Sequence, residues 1–158
     1  MREITFRGKR VDNGEWVYGF VAKLDCYELG KQYEETVILK QLKYDDGDYY
    51  VQEFIYADAV ILETVGQYTG LKDRDGGEIY EGDIMLEKDA AVWEKFTKAD
   101  GSEWSKFAGK REDKKYTVFF DEKKAQFTTK GCWLWALVKS VTIIGNIHDN
   151  PELAEVME

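Results

Sequence analysis

The sequence has few of the residues from which metal sites and disulfides are built. Its 158 residues include one histidine, one proline and two cysteines. The cysteines, Cys26 and Cys132, match no metal-ligand spacing, and a single histidine cannot form a His-based metal site. In a reducing compartment we expect both thiols to be free and packed as small hydrophobic residues. We therefore predict no metal, no cofactor and no disulfide.

Motifs of common enzyme classes and membrane segments are also missing. The chain lacks G-x-x-x-x-G-K-[ST], G-x-G-x-x-G, G-x-S-x-G and H-E-x-x-H, which mark nucleotide, hydrolase and metalloprotease sites. No apolar run approaches the roughly 20 residues of a membrane-spanning helix. Met1 is followed by Arg2 and Glu3, without the apolar core of a signal peptide. These absences make an enzyme a less favoured interpretation and predict a protein without membrane contact.

Aromatic residues and glycines, by contrast, are plentiful. There are 10 Tyr, 8 Phe, 5 Trp and 14 Gly, and 44% of the residues are hydrophobic. Aromatic side chains suit a pleated, half-buried surface, and glycines allow tight turns between strands. A chain of this length also falls within the usual size of one domain. We predict one mainly β domain over residues 1–158, a compact barrel-like antiparallel arrangement with a short C-terminal helix.

Alternation of apolar and polar residues locates the strands. Ile4 and Phe6 fall on one face of a first strand, and Asn13-Gly14 then marks a tight hairpin turn. Further strands are predicted at Trp16–Phe20, Thr36–Leu42, Tyr49–Tyr56, Ala59–Glu63, Tyr116–Phe120, Ala125–Thr128, Cys132–Val138 and Val141–Ile147. Asn150 before Pro151 predicts a helix over Pro151–Met157, because Asn caps helices and Pro suits their first position.

Residues 87–115 read as an irregular excursion from the domain. Lys88–Lys98 is a possible helix, with Val92, Trp93 and Phe96 on a narrow apolar face. Ala99–Lys115 is polar and interrupted by glycine, which predicts a mobile segment.

Acidic residues near the middle of the chain are candidates for metal binding. Asp73, Asp75 and Glu78 resemble calcium ligands, but an EF-hand loop beginning at Asp73 would need a glutamate where Ile84 stands. We expect a solvated turn instead.

Two carboxylates and the single histidine are candidates for acid–base chemistry. Glu81 and Asp83 could divide the roles of acid and base, with His148 beside them, if the fold gathers the three in one concave pocket. No nucleophile lies near them in sequence. The structural interpretation is favoured: Asp83 bonds backbone amides where a strand begins after Gly82, and His148 lies in a loop.

The net charge of −9 disfavours binding of nucleic acid by the chain as a whole. Its distribution is uneven. Residues 25–63 carry ten acidic and three basic residues, a net charge of −7, whereas residues 106–130 carry eight basic and four acidic ones, a net charge of +4. Regions of opposite sign would favour head-to-tail self-association.

The basic stretch is also a candidate nucleic-acid interface. Its lysines alternate with aromatic residues, a pattern typical of single-strand binding on small barrels. The four lysines that we assign to it are Lys114, Lys115, Lys123 and Lys124. The other interpretation is that the aromatic residues point into the core and the lysines are solvated turn residues.

Three segments resemble the YopX family. They read FRGKRVDNGEWVYG at Phe6–Gly19, TVGQYTGLKDRDGGEIYEGDI at Thr64–Ile84 and VTIIGNIHDNPEL at Val141–Leu153. Members are encoded by phages and prophages of Gram-positive bacteria, so the resemblance implies a predominantly β protein in the bacterial cytoplasm. It supplies no catalytic residues. If the family shares one binding function, its candidate residues here are Gln67, Tyr68, Thr69, Tyr80 and Glu81; the alternative is that these side chains fix a long turn.

Together these observations favour a phage accessory protein that is not an enzyme. It would bind a host or phage protein, or assemble with itself. Single-stranded nucleic-acid binding through residues 106–130 is the first alternative, and an enzyme using Glu81, Asp83 or His148 is the second. Imitation of nucleic acid by the acidic surface is a further, weaker hypothesis.

Overall fold

The computed structural model describes residues 4–29, 31–45, 51–98, 100–130 and 132–154. The chain divides into two compact units, Met1–Gly70 and Leu71–Glu158. The organisation of the chain as one domain stays a prediction.

The first unit is an antiparallel sheet in the order β4-β3-β2-β1-β5. Its strands are β1 (Phe6–Lys9), β2 (Trp16–Glu28), β3 (Lys31–Asp45), β4 (Val51–Ala59) and β5 (Gly66–Lys72). The last two residues of β5 belong to the second unit. Residues 46–50, between β3 and β4, lie outside the described residues, and with them the start of the strand predicted at Tyr49–Tyr56. Strand β2 pairs first with β1 and then, beyond Gly19, with β3.

The predicted N-terminal hairpin is confirmed, and its turn follows from the sequence. Gly14 has a φ of +73°, a conformation that glycine adopts without strain. The side chain of Asn13 accepts a hydrogen bond from the Glu15 amide at 2.9 Å, and the Arg10 amide donates to the Glu15 carbonyl at 2.9 Å. Asn-Gly therefore closes the hairpin as its composition predicts.

A small core holds the first unit together. Val17, Ile38 and Val60 are buried against one another, with partly buried apolar neighbours including Phe6 and Val21. The predicted strand at Ala59–Glu63 is wrong. After an isolated bridge at Val60, the chain forms a 3-10 turn over Leu62–Thr64, because the Thr64 hydroxyl bonds the Ile61 carbonyl and accepts the Lys9 amide.

The second unit combines a hairpin-based sheet with two short helices. Its elements are β6 (Glu78–Tyr80), β7 (Asp83–Thr97), β8 (Glu103–Thr117), β9 (Phe119–Asp121), β10 (Gln126–Thr128), α1 (Leu134–Leu137), β11 (Val141–Asn146) and α2 (Pro151–Ala154). Strands β11, β7 and β8 form a sheet in that order, β9 pairs with β10, and β6 neighbours β5. The core consists of Ile79, Met85, Val118, Leu134, Leu137 and Val141.

The mainly β prediction is confirmed, since antiparallel strands dominate and the only helices described are short. Among the described strands the sheets are open and do not close into a barrel. The C-terminal helix begins at Pro151 as predicted and is described to Ala154. None of the described helices has the length and apolar character needed to cross a bilayer.

Two segments have a secondary structure that differs from the prediction. The predicted strand at Cys132–Val138 contains helix α1, in which Leu134 and Leu137 are buried three positions apart while Trp135 and Ala136 are exposed. A short apolar run does not distinguish a strand from a buried helical turn by composition alone, and here the period of three decides. The predicted helix at Lys88–Lys98 is also wrong, because this segment and the polar segment after it supply the two strands of one hairpin. The mobility predicted for Ala99–Lys115 stays a prediction.

Candidate functional site

Asp73 lies in the segment Thr64–Ile84, which we call the central motif, and its role is structural. Its Oδ1 accepts the amides of Asp75 and Gly77 at 3.0 and 2.7 Å, and its Oδ2 accepts the amide of Ile143 at 3.0 Å. Burial raises the pKa of this carboxyl, but the hydrogen bonds from Ile143, Gly77 and Asp75 together bring it below its ordinary value. Asp73 is thus buried and hydrogen-bonded, whereas the composition of the turn predicted that it would be solvated.

The turn that contains Asp73 is attached to strand β11 by further bonds. The Arg74 amide donates to the Val141 carbonyl at 3.1 Å, and the Thr142 hydroxyl donates to Asp75 Oδ2 at 3.0 Å. The central motif and the segment Val141–Leu153, which we call the C-terminal motif, are therefore joined by hydrogen bonds. Among the described residues, no group of three or more His, Cys, Asp or Glu side chains is arranged to hold a metal ion.

The corner at Gly82-Asp83 was predicted correctly. Gly82 has a φ of +82°, and Asp83, 1% exposed, accepts the Tyr80 amide at 2.7 Å. Asp83 lies opposite Asn146 at the end of β11. The side chain of Asn146 in turn accepts the amides of His148 and Asp149. The buried side chains of Asp83 and Asn146 therefore each have an oxygen that accepts hydrogen bonds from backbone amides.

The acid–base candidates lie near one another but are engaged in structural contacts. A Cβ at Gly82 would be 3.8 Å from His148 Nε2, so the histidine lies beside this turn. Glu81 Oε1 accepts the Phe120 amide at 3.2 Å, while the Asp83 carboxylate bonds the Tyr80 amide. Of the two clefts described in the chain, neither is lined by these groups.

The candidate binding residues of the central motif divide between the units. Gln67, Tyr68 and Thr69 lie on β5 in the first unit, where Gln67 pairs with Phe6 and Thr69 is buried. Tyr80 belongs to the second unit and is buried, with its hydroxyl donating to Glu78 Oε2 at 3.0 Å. Buried or strand-paired positions suit the structural alternative, and a binding role for these residues stays a prediction.

The four candidate lysines lie at two separate places in the second unit. Lys114 and Lys115 are in β8, where the Lys114 ammonium donates to the Ala91 carbonyl at 3.2 Å. Lys123 and Lys124 are in the β9–β10 turn, where Lys124 Nζ lies 3.2 Å from an Asp121 carboxylate oxygen. Local acceptors thus hold Lys114 and Lys124, and their role in binding stays a prediction.

The hairpin of β7 and β8 extends well beyond the strand that supports it. β11 pairs with β7 only over Asp83–Glu87, whereas β7 and β8 remain paired to Thr97 and Glu103. We call the extended part, residues 88–98 and 100–113, the arm. At its root the Tyr116 hydroxyl donates to Glu87 at 2.9 Å; burial and this carboxylate raise the pKa of Tyr116.

The end of the arm is closed by a turn that the sequence encodes. Asp100 Oδ1 accepts the amide and the hydroxyl of Ser102 at 2.9 and 2.6 Å, and Gly101 has a φ of +81°. The Lys98 amide donates to the Ser102 carbonyl at 2.8 Å. Asp-Gly therefore supplies the cap and the positive φ that reverse the chain.

Two cross-strand aromatic pairs lie on the arm. Trp93 faces Phe107 with ring centroids 6.1 Å apart, edge to face, and Phe96 stacks on Trp104 at 4.7 Å. All four rings are exposed, Trp93 by 58%. Because positions 93 and 96 differ by an odd number, the two pairs lie on opposite faces of the ribbon.

The aromatic residues of the arm were missed as a candidate surface because residues 88–98 read as a helix. A signal was present in WEKFTKADGSEWSKF, since Trp93 mirrors Phe107 and Phe96 mirrors Trp104 about Asp100. Such symmetry about an Asp-Gly turn is typical of a hairpin with cross-strand ring pairs.

The arm is electrically balanced, and its edges are open. Residues 88–113 contain six basic and six acidic residues. Lys106 lies opposite Glu94, and Lys114, next to the arm, opposite Glu87. Among the described strands none pairs with either edge of the arm. The basic residues of the arm are therefore balanced by acidic residues on both of its strands and do not form a positive track.

Comparisons with known proteins agree with the fold. The YopX protein family model matches residues 5–155. The crystal structure of protein EF1440 from Enterococcus faecalis is similar, with a TM-score of 0.53 and 21% identity over 97% of this chain and 99% of that one. No curated protein matches. At this identity the structural likeness shows the fold alone.

Proposed function

This chain belongs to the YopX family, and on the geometry of its arm we propose that it is a non-catalytic protein-binding module. The arm is the contact surface, and the partner is a host protein, a phage protein or a second copy of the chain. In keeping with the resemblance, the module would serve a phage or prophage in the cytoplasm of a bacterial host.

The exposed aromatic pairs on an open ribbon carry this proposal. Trp93, Phe96, Trp104 and Phe107 are all exposed on a two-stranded structure that β11 does not cover. A two-stranded ribbon is marginally stable in water, and unpaired strand edges readily accept another chain. Large aromatic residues also supply much of the binding energy at protein interfaces. A ribbon with these features is well suited to be covered by a protein.

The charges of the arm favour a protein partner over nucleic acid. A single-stranded nucleic acid is held by a positively charged groove beside aromatic rings. Residues 88–113 have no net charge, and Lys106 lies across from Glu94. The arm therefore lacks the excess positive charge that phosphates require. Mixed charges around aromatic residues suit the polar rim and apolar centre of a protein interface.

A capture experiment with matched variants tests the proposal. The tagged protein would be incubated with host lysate, with and without nuclease, and bound proteins identified by mass spectrometry. We expect a partner that persists through nuclease and is lost when Trp93→Ala and Phe107→Ala are combined. Trp133→Ala is the control, because Trp133 is also 58% exposed but lies outside the arm. A partner retained equally by both variants would contradict a role for the arm.

Self-assembly is the version of this function that needs no other partner. The acidic region 25–63 and the basic region 106–130 have charges that would attract one another between copies. Light scattering at low salt would then give a mass above that of the monomer, 18.4 kDa. A monomer at all concentrations would rule out this version and leave a heterologous partner.

A further inference from the structure

A second exposed aromatic surface lies far along the chain from the arm, at helix α1. Trp133 and Trp135 stack on each other with centroids 5.7 Å apart and an interplanar angle of 25°. They are 58% and 64% exposed. Trp133 also lines an open cleft of about 290 Å³, whose lining among the described residues is Lys124, Thr128, Thr129, Cys132, Trp133 and Ala136.

The cleft combines an aromatic wall, a cation and hydroxyl groups. Thr128 and Thr129 donate their hydroxyl protons to backbone carbonyls, Thr129 to the Cys132 carbonyl at 2.8 Å, so their oxygens can still accept hydrogen bonds. Lys124 provides the cation and is paired with Asp121 at 3.2 Å. A ligand that has a planar ring, hydrogen-bond donors on that ring and an attached anionic group would match the tryptophan, the threonine oxygens and the lysine.

The segment that builds the cleft is positively charged although the whole chain is negative. Residues 123–148 contain Lys123, Lys124, Lys130 and Lys139 and no aspartate or glutamate. All four lysines are exposed. This differs from the arm, where acidic residues balance the basic ones. With Asp121 and Glu122 of the same turn included, residues 121–148 still carry a net charge of +2, whereas the arm carries none. This segment therefore suits phosphate better than the arm does.

We infer that the cleft beside Trp133 binds a nucleotide of single-stranded nucleic acid. One base stacks on the outer face of Trp133, because Trp133 and Trp135 already contact each other and leave no space between them. Trp135 supports the ring from behind, and Lys124 lies beside the phosphate backbone. The base edge reaches the threonine hydroxyls. A duplex is excluded from this mode of binding because its bases are already stacked and paired.

Fluorescence anisotropy with a labelled ten-nucleotide thymidine oligomer tests the inference on the full chain. We expect Trp133→Ala to weaken binding about fivefold or more, since one stacked base contributes on that order. Tyr27→Ala, at an exposed aromatic residue outside both the cleft and the arm, should leave the affinity within about twofold. Binding should weaken about tenfold between about 50 and 200 mM salt, and Lys124→Gln should weaken it and reduce that dependence.

Three results would overturn the inference. The first is no binding of the oligomer at low salt by the wild-type protein. The second is equal loss of affinity in Tyr27→Ala and Trp133→Ala, which would indicate non-specific contact. The third is equal competition by thymidine monophosphate at the same base concentration, which would indicate a site for free nucleotide. Lys124→Gln changes one exposed side chain, so it keeps the test decisive if Trp133→Ala alters the fold. The outcome is independent of whether the arm binds a protein.

Discussion

Asp73 Oδ2 accepts a hydrogen bond from the backbone amide of Ile143 at 3.0 Å, although 70 residues separate the two. The other oxygen of the same carboxylate closes the turn that contains Asp75 and Gly77. One side chain thus shapes a turn and attaches it to a strand near the end of the chain. The central and C-terminal motifs of this chain are therefore joined by hydrogen bonds between them.

Replacement of Asp73 by alanine should therefore destabilise the protein. The substitution removes a charged acceptor from three backbone amides, and we expect a loss of about 2–3 kcal/mol in the free energy of unfolding. Urea unfolding followed by circular dichroism measures it. Asp75→Ala is the matched control, because Asp75 is exposed and accepts the Thr142 hydroxyl at the surface. Equal losses in the two variants would contradict the role of Asp73.

The contribution of Asp73 should also depend on pH. Its pKa in the folded protein lies below the ordinary value of 3.8, so the carboxylate stabilises the fold above that value. As pH falls below about 4 and through the lower folded pKa, this stabilisation is lost. The difference in unfolding free energy between wild type and Asp73→Asn should be largest near neutral pH and shrink towards about pH 2–3. If this difference in unfolding free energy instead grows as the pH falls, the ionised carboxylate of Asp73 does not stabilise the fold.

The residue types at each turn predicted the turns themselves better than they predicted which distant residues the turns contact. Asn13-Gly14 and Gly82-Asp83 fold as their residue types indicate, because glycine conformation and short side-chain bonds act within a few positions. The burial of Asp73 was not predicted, since its partner Ile143 is distant in sequence. Composition alone describes an acidic Gly-rich turn as solvated, and only the tertiary fold brings the amide to it.

The arm shows how periodicity can mislead when a segment lacks a core. Val92, Trp93 and Phe96 are spaced as on one face of a helix, but in the structure they lie on strand β7. The stabilising partners are Phe107 and Trp104 on the returning strand. Aromatic residues favour strands when another aromatic lies directly opposite. A window limited to residues 88–98 contains no information on those partners.

Gly19 should be one of the least tolerant positions in the first unit. It lies where β2 changes partner from β1 to β3, and a Cβ there would overlap the carbonyl oxygen of Leu39 and lie 3.0 Å from Ile38 Cγ2. A backbone atom cannot move aside as a flexible side chain does, so Gly19→Ala should cost about 1–3 kcal/mol. Thermal unfolding gives the comparison. Gly14→Asn is the control, because nothing lies within 4 Å of that position and Asn tolerates positive φ.

Amide hydrogen exchange should separate the arm from the sheet that supports it. Ile84–Glu87 lies between β11 and β8 and includes core residues, whereas the arm has only its two strands. Amides of the arm should therefore exchange through local opening, well before those of Ile84–Glu87. Replacing both Trp93 and Phe107 by alanine should speed exchange in the arm by about two- to tenfold, since such a ring pair stabilises by roughly 0.5–1.5 kcal/mol.

Protein concentration provides the control for the exchange experiment. If the arm associates with a second copy, its exchange should slow as concentration rises, while exchange at Ile84–Glu87 stays unchanged. If the arm binds only a different protein, its exchange should be independent of concentration and slow only when that partner is added. Slow exchange in a dilute monomer would contradict both outcomes. It would mean that the arm is covered within the monomer, and the exposed rings of Trp93 and Phe107 could not then serve as the binding surface.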